Sequence, residues 1–152
     1  MANPDSVSQK YPDSFGNYAI ASASAVSLAT TGNAIVALPI LSGGITQGNA
    51  VVNSGGVIVR RVTVQNPGGN VAAANVAILT TNDGNVSNAV VASTVLANLT
   101  TTGTYQDLTV ATPYSTTTAL SGYTVQALFV KINTASANGT VDIRVYGDTV
   151  NF

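Results

Sequence analysis

From Ala19 onward, apolar and small polar residues alternate in short runs, and nearly every run closes on a cluster of Gly, Asn or Pro. A period of two sends successive side chains to opposite faces of a strand, whereas a helix needs a period near 3.6. The runs are residues 20–28, 34–41, 56–65, 71–80, 88–99, 104–111, 123–133 and 140–146, which predicts about eight strands. Between them stand turn sequences such as Asn66-Pro67-Gly68-Gly69-Asn70 and Asn82-Asp83-Gly84-Asn85, residue types that supply the backbone angles of tight turns. The Ala-rich stretch 71–77 is the one place a helix could be argued, but the Pro-Gly-Gly before it and Val76, Ile78 and Leu79 favour a strand. The expected fold is therefore all-β: a single antiparallel β-sandwich, jelly-roll-like, over residues 19–152.

Particular strands carry finer expectations. Pro39 has no N–H for a ladder, so its strand belongs at an edge or a bulge. Ala135-Ser136-Ala137-Asn138-Gly139 ends in Asn-Gly between two alternating runs, which predicts that the last two strands form a hairpin. Val141, Ile143 and Val145 should face the core with Leu128, Val130 and Ile132, leaving Asp142, Arg144 and Tyr146 on the opposite face and Phe129 and Lys131 outside. Arg60-Arg61 interrupts an apolar strand. A β-bulge there would turn both arginines outward and keep Val57 and Val59 in phase with Val62 and Val64.

Residues 1–18 break the pattern. They hold Pro4, Pro12, two Asp and Lys10, with Tyr11, Phe15 and Tyr18 as isolated aromatics, and are expected to form an extended N-terminal arm. Aromatic side chains give large contact area at low entropic cost, so Tyr11, Phe15 and Tyr18 are candidate docking residues against a neighbour; a frayed terminus is the competing expectation.

The side chains that do chemistry are few. The chain has no His, Cys, Trp or Glu, which removes thiolate nucleophiles, Ser-His-Asp triads, disulfides and imidazole- or thiolate-bound metals. No catalytic residue, cofactor site or metal site is expected. Asp83 in its turn lacks the spaced acids of a calcium loop, and Asp142 and Asp148 do not identify a glycosidase pair. Tyr105, Tyr114 and Tyr123 could stack on a sugar, though packing explains them as well. Asn85, Asn98 and Asn138 begin Asn-X-Ser/Thr sequences, which would accept glycans only in a eukaryotic secreted chain. Five scattered basic residues against six acids, net charge -1, give no phosphate-binding stripe, so nucleic acid is not an expected partner. No apolar run is long enough for a membrane span, and the opening residues have neither the basic start nor the apolar stretch of a signal peptide.

Charged residues make up 7% of the chain, against roughly 25% in ordinary soluble proteins, so the outward positions are expected to be filled largely by the 20 Thr, 15 Asn and 13 Ser and by some of the 21 Ala. A surface without charge repulsion is one expected to be covered, by copies of the chain or by a partner. Within it, Arg60 and Arg61 are candidate anchors for a partner's carboxylate, with a solvated or intramolecular pair as the alternative.

The arm, the single Thr/Asn/Ala-rich sandwich, the lack of Cys and the sparse charge together resemble the capsid decoration, or cement, proteins of tailed bacteriophages. The resemblance spans the whole chain in style and includes no specific motif, so no functional residue is carried over. It implies a structural virion protein, made in the host cytoplasm, that sits on the capsid surface as a homotrimer and clamps the major capsid protein. A carbohydrate-binding or adhesive module, such as a fibre tip, and a jelly-roll shell-forming protein are the alternative expectations.

Overall fold

The computed structural model describes residues 19–31, 35–39, 46–47, 50–51, 55–111, 127–137 and 139–151. The expected arm, residues 1–18, lies outside them, as do Tyr11, Phe15 and Tyr18. Among the described residues are ten strands: β1 Ala19–Ser27, β2 Ile35–Pro39, β3 Thr46–Gln47, β4 Ala50–Val51, β5 Gly55–Gln65, β6 Asn75–Leu79, β7 Ala89–Val95, β8 Tyr105–Leu108, β9 Ala127–Thr134 and β10 Thr140–Asn151. No α-helix occurs among the described residues, only a short 3-10 turn at Val86–Asn88.

Eight strands make two antiparallel sheets, ordered β1-β10-β5-β8 (sheet A) and β2-β9-β6-β7 (sheet B); β3 and β4 pair separately. Pairs β1·β10, β2·β9, β5·β8 and β6·β7 are those of one long hairpin whose tip lies between β6 and β7. Rolling that hairpin up adds β5·β10 and β6·β9 and divides it between the two sheets. This connectivity is that of a jelly roll, and it makes the sandwich expectation concrete.

The two inner faces build one core. Val62, Val64, Val141, Ile143 and Val145 from sheet A meet Leu38, Val76, Ile78, Val91, Leu128, Val130 and Ile132 from sheet B, all buried. Each contributes roughly 1.5–3 kcal/mol by leaving water. The alternation read in β9 and β10 is thus present, with the two strands facing each other across the core.

That geometry corrects the hairpin expected between β9 and β10. They lie in different sheets and so do not pair as a hairpin, although the Gly139 N–H does close a turn onto the Ser136 carbonyl (3.1 Å). The Leu28 N–H donates to the Gly139 carbonyl (2.8 Å), and the Ser136 N–H donates to the Leu28 carbonyl (2.9 Å). The segment after β1 therefore takes the backbone partners that a hairpin would have used. The expected strand from Val71 also starts later: Val71–Ala74 is a turn closed by the Ala74 N–H to the Val71 carbonyl, and β6 begins at Asn75.

Edges of the sheets are managed locally. Pro39 does lie on edge strand β2. Edge strand β1 carries two bulges, at Ile20 and at Ser24-Ala25, where Ala25 has φ +53°. Such bulges make an edge a poor template for further strands. On the far side a Val91–Val110 bridge and the Ala111 N–H to Val90 carbonyl bond (2.8 Å) link the two sheets. Gln106 spans the same gap, donating to the Val95 carbonyl and accepting from the Asn98 N–H.

The bulge expected at Arg60-Arg61 is present. Arg61 pairs with Tyr146 and Val59 with Gly147, so Arg60 is the extra residue; Val59, Val62 and Val64 all remain buried. Both arginines are exposed. The partner strand needs glycine at this place, because a Cβ on Gly147 would collide with the Ile58 carbonyl oxygen. Gly147→Ala is therefore expected to cost about 2–4 kcal/mol in urea unfolding, since β5 and β10 would have to separate.

Candidate functional site

Pleating fixes which side chains share the outer face of sheet A. On β10 these are Asp142, Arg144, Tyr146 and Asp148, alternating with buried Ile143, Val145 and Gly147. From β5 come Arg61, Thr63 and Gln65 plus the bulged Arg60, and from β8 Tyr105 and Asp107. Six of the eight charged residues in the described part of the chain thus stand on this one face; Asp83 and Lys131 are the other two.

Cross-strand register arranges four of the six in rows. Ser22, Arg144, Thr63 and Asp107 form one row, Asp142, Gln65 and Tyr105 a second, and Tyr146 and Arg61 a third. The Thr63 hydroxyl donates to Asp107 (2.5 Å). Arg60 Nε pairs with Asp148 Oδ2 at 2.9 Å, with 39% and 15% of the side chains exposed. An ion pair this open is worth at most about 1 kcal/mol. The Arg61 guanidinium lies over the Tyr146 ring, 4.5 Å from its centre, a cation–π contact.

Asp142 does structural work. Its Oδ1 accepts the N–H of Ala25 (2.9 Å) and its Oδ2 accepts the side-chain amide of Asn66 (3.0 Å). Ala25 and Asn66 are the two non-glycine residues with positive φ among those described. One carboxylate on the central strand therefore holds a strained residue on each flanking strand. The Asn66 amide and then the Ala25 N–H pull the Asp142 pKa below its ordinary value; desolvation opposes them, and the nearby Arg144 charge adds a smaller pull downward.

Sheet B differs in character. Its outer face carries Asn75, Ser93 and Asn133 in one hydrogen-bonded cluster. Nearby, Lys131 reaches the Gly84 carbonyl with its ammonium (2.9 Å). The Asp83 turn is turn chemistry, as read from sequence: Asp83 Oδ1 accepts the Thr81 hydroxyl and the Asn85 N–H, which lower its pKa, and Gly84 has φ +74°.

Arg60 and Arg61 are thus placed side by side but used differently, one ion-paired within the chain and one stacked on an aromatic ring. Tyr105 is 65% exposed on the same face; Tyr114 and Tyr123 lie outside the described residues. Arg144 and Tyr146 complete the group around Arg61. Sequence alternation puts them on one face, but only the β5·β10 register brings them to Arg61. Comparison with models of protein families, with curated proteins and with solved structures found no match.

The Asp142 contacts predict a pH dependence. A lowered folded pKa gives stability that is fully present above the unfolded value of about 3.9 and is lost as pH falls through the lower folded value. The stability of wild type should therefore fall below pH 4. Asp142→Asn should be less stable at pH 7 and should show a shallower loss in acid, as read from denaturation midpoints across that range.

Proposed function

We propose that the chain is a structural virion protein, a decoration or cement protein that docks on the outside of a phage shell and stabilises it. The observation that carries the reading is the distribution of polarity. A jelly roll with 7% charged residues gathers six of its eight described charges on one sheet, while the other sheet's outer face carries Asn75, Ser93, Asn133 and one tethered lysine beside apolar Phe129 and Val95. Jelly rolls are frequent in viral capsids, and in lectins too; the virion reading rests on the neutral surface more than on the fold.

Docking would work by burial of neutral area. Standard specific interfaces cover roughly 1,200–2,000 Å², and many identical copies multiply a modest affinity by avidity. The reading requires no bond chemistry. The partners are the major capsid protein and further copies of the chain, with a homotrimer favoured, and the location is the capsid surface. Residues 1–18 would add main-chain pairing along a partner's sheet edge, with Tyr11, Phe15 and Tyr18 as anchors.

Removing residues 2–18 tests this. The truncated protein should keep its unfolding transition but lose co-sedimentation with purified shells; unchanged co-sedimentation would reject the arm as the anchor. Exposed Tyr105 favours carbohydrate binding as the second reading. Glycan binding that is lost in Tyr105→Ala, without any association with shells, would replace the cement reading.

A further inference from the structure

Sheet A carries three acids and three arginines on its outer face, but their hydrogen bonds and ion pairs are unevenly distributed. Asp148 is paired with Arg60, Asp142 accepts from the Ala25 N–H and the Asn66 amide, and Asp107 accepts the Thr63 hydroxyl. All three acids of the face are engaged within the fold. Among the bases, Arg61 lies over the Tyr146 ring, and neither Arg61 nor Arg144 makes a side-chain hydrogen bond or ion pair among the described residues. Arg144 lies on the same face as Asp142, two residues away, and its charge is felt there, but the two form no ion pair.

The register places these two arginines together. Arg144 is directly opposite Thr63, and Arg61 is two residues along β5 from Thr63, so the arginines are diagonal neighbours. Diagonal neighbours on one sheet face stand about 7–8 Å apart, within reach of a shared ligand for side chains this long. Tyr146, opposite Arg61, forms the apolar floor. Ser22, opposite Arg144, adds a hydroxyl at the rim.

We propose that Arg61 and Arg144 form an anion-binding site that takes a carboxylate side chain from a docking protein partner. This deepens the cement reading and rests on it for the identity of the partner. The planar guanidinium fork matches a carboxylate bidentately, which is the geometry arginine is suited to. A polysulfated or polyphosphate chain is the poorer fit. Two cations make no extended stripe, and a net charge of -1 gives a polyanion no long-range attraction.

The chain has three arginines, Arg60, Arg61 and Arg144, so their Nε–Hε signals in a nitrogen-15 spectrum separate the possibilities. Titration with glutarate should move the Arg61 and Arg144 signals together and leave that of Arg60 in place; Arg144→Gln should shrink the Arg61 response several-fold. No movement, or equal movement of all three, overturns the site. A Glu-rich peptide should compete with glutarate better than heparin or inorganic phosphate does; the reverse order overturns the assignment to a protein carboxylate.

Shells supply the second measurement. Arg61→Gln with Arg144→Gln should weaken co-sedimentation with purified shells at least tenfold. Full co-sedimentation of that double variant would overturn the docking role even if glutarate binds. Glutarate binding by wild-type protein that ignores shells would instead remove the cement reading while leaving the anion site standing.

Discussion

Strand β10 forms backbone ladders on both of its edges, to β1 and to β5, and the shape of sheet A depends on those two ladders. Its Gly147 admits the Ile58 carbonyl at the Arg60 bulge. Its Asp142 fixes Ala25 on one side and Asn66 on the other. Its Val141, Ile143 and Val145 fill the core, while the alternate positions carry the charges of the outer face. One strand thus couples core packing, the bulges and the arrangement of Arg61, Arg144 and Tyr146. Because β10 pairs with the first described strand, sheet A closes only after most of the chain between them has been positioned. Topologies dominated by such distant pairings fold slowly, in milliseconds to seconds.

Strand positions and faces were legible because alternation is a local property. The buried set Leu128, Val130, Ile132, Val141, Ile143 and Val145 follows from a period of two alone, and the Arg60 bulge follows from the phase of the valines around it. Pairing is not local. Asn-Gly at 138–139 reads as a hairpin, but the competition is decided by Leu28, more than a hundred residues earlier in the chain, whose backbone bonds to Ser136 and Gly139. The bulges of β1 were hidden for a related reason. Ile20 and Ala21 are both buried, which no strict alternation allows, and the extra residue is defined only against Tyr146 and Val145.

The same division holds for the outer face. Arg60 and Arg61 stand out in sequence as adjacent charges, whereas Arg144 is an isolated basic residue until register sets it diagonal to Arg61. Turn chemistry at Asp83 was readable because its partners, Thr81 and Asn85, lie within two residues. The roles of Asp142 and Asp107 were not, since they depend on Asn66, Ala25 and Thr63 from other strands.

Sparse charge links fold and function in this account. The core needs none, the acids of sheet A are engaged by internal bonds, and apart from Arg61, Arg144 and a few exposed apolar residues the described surface is mostly short neutral side chains suited to being covered. Light scattering behind size-exclusion chromatography, over a range of concentrations of the full-length protein, tests that claim most directly. The account predicts an oligomer, with a trimer favoured. A chain that remains monomeric at the highest concentration and joins no larger assembly would contradict it.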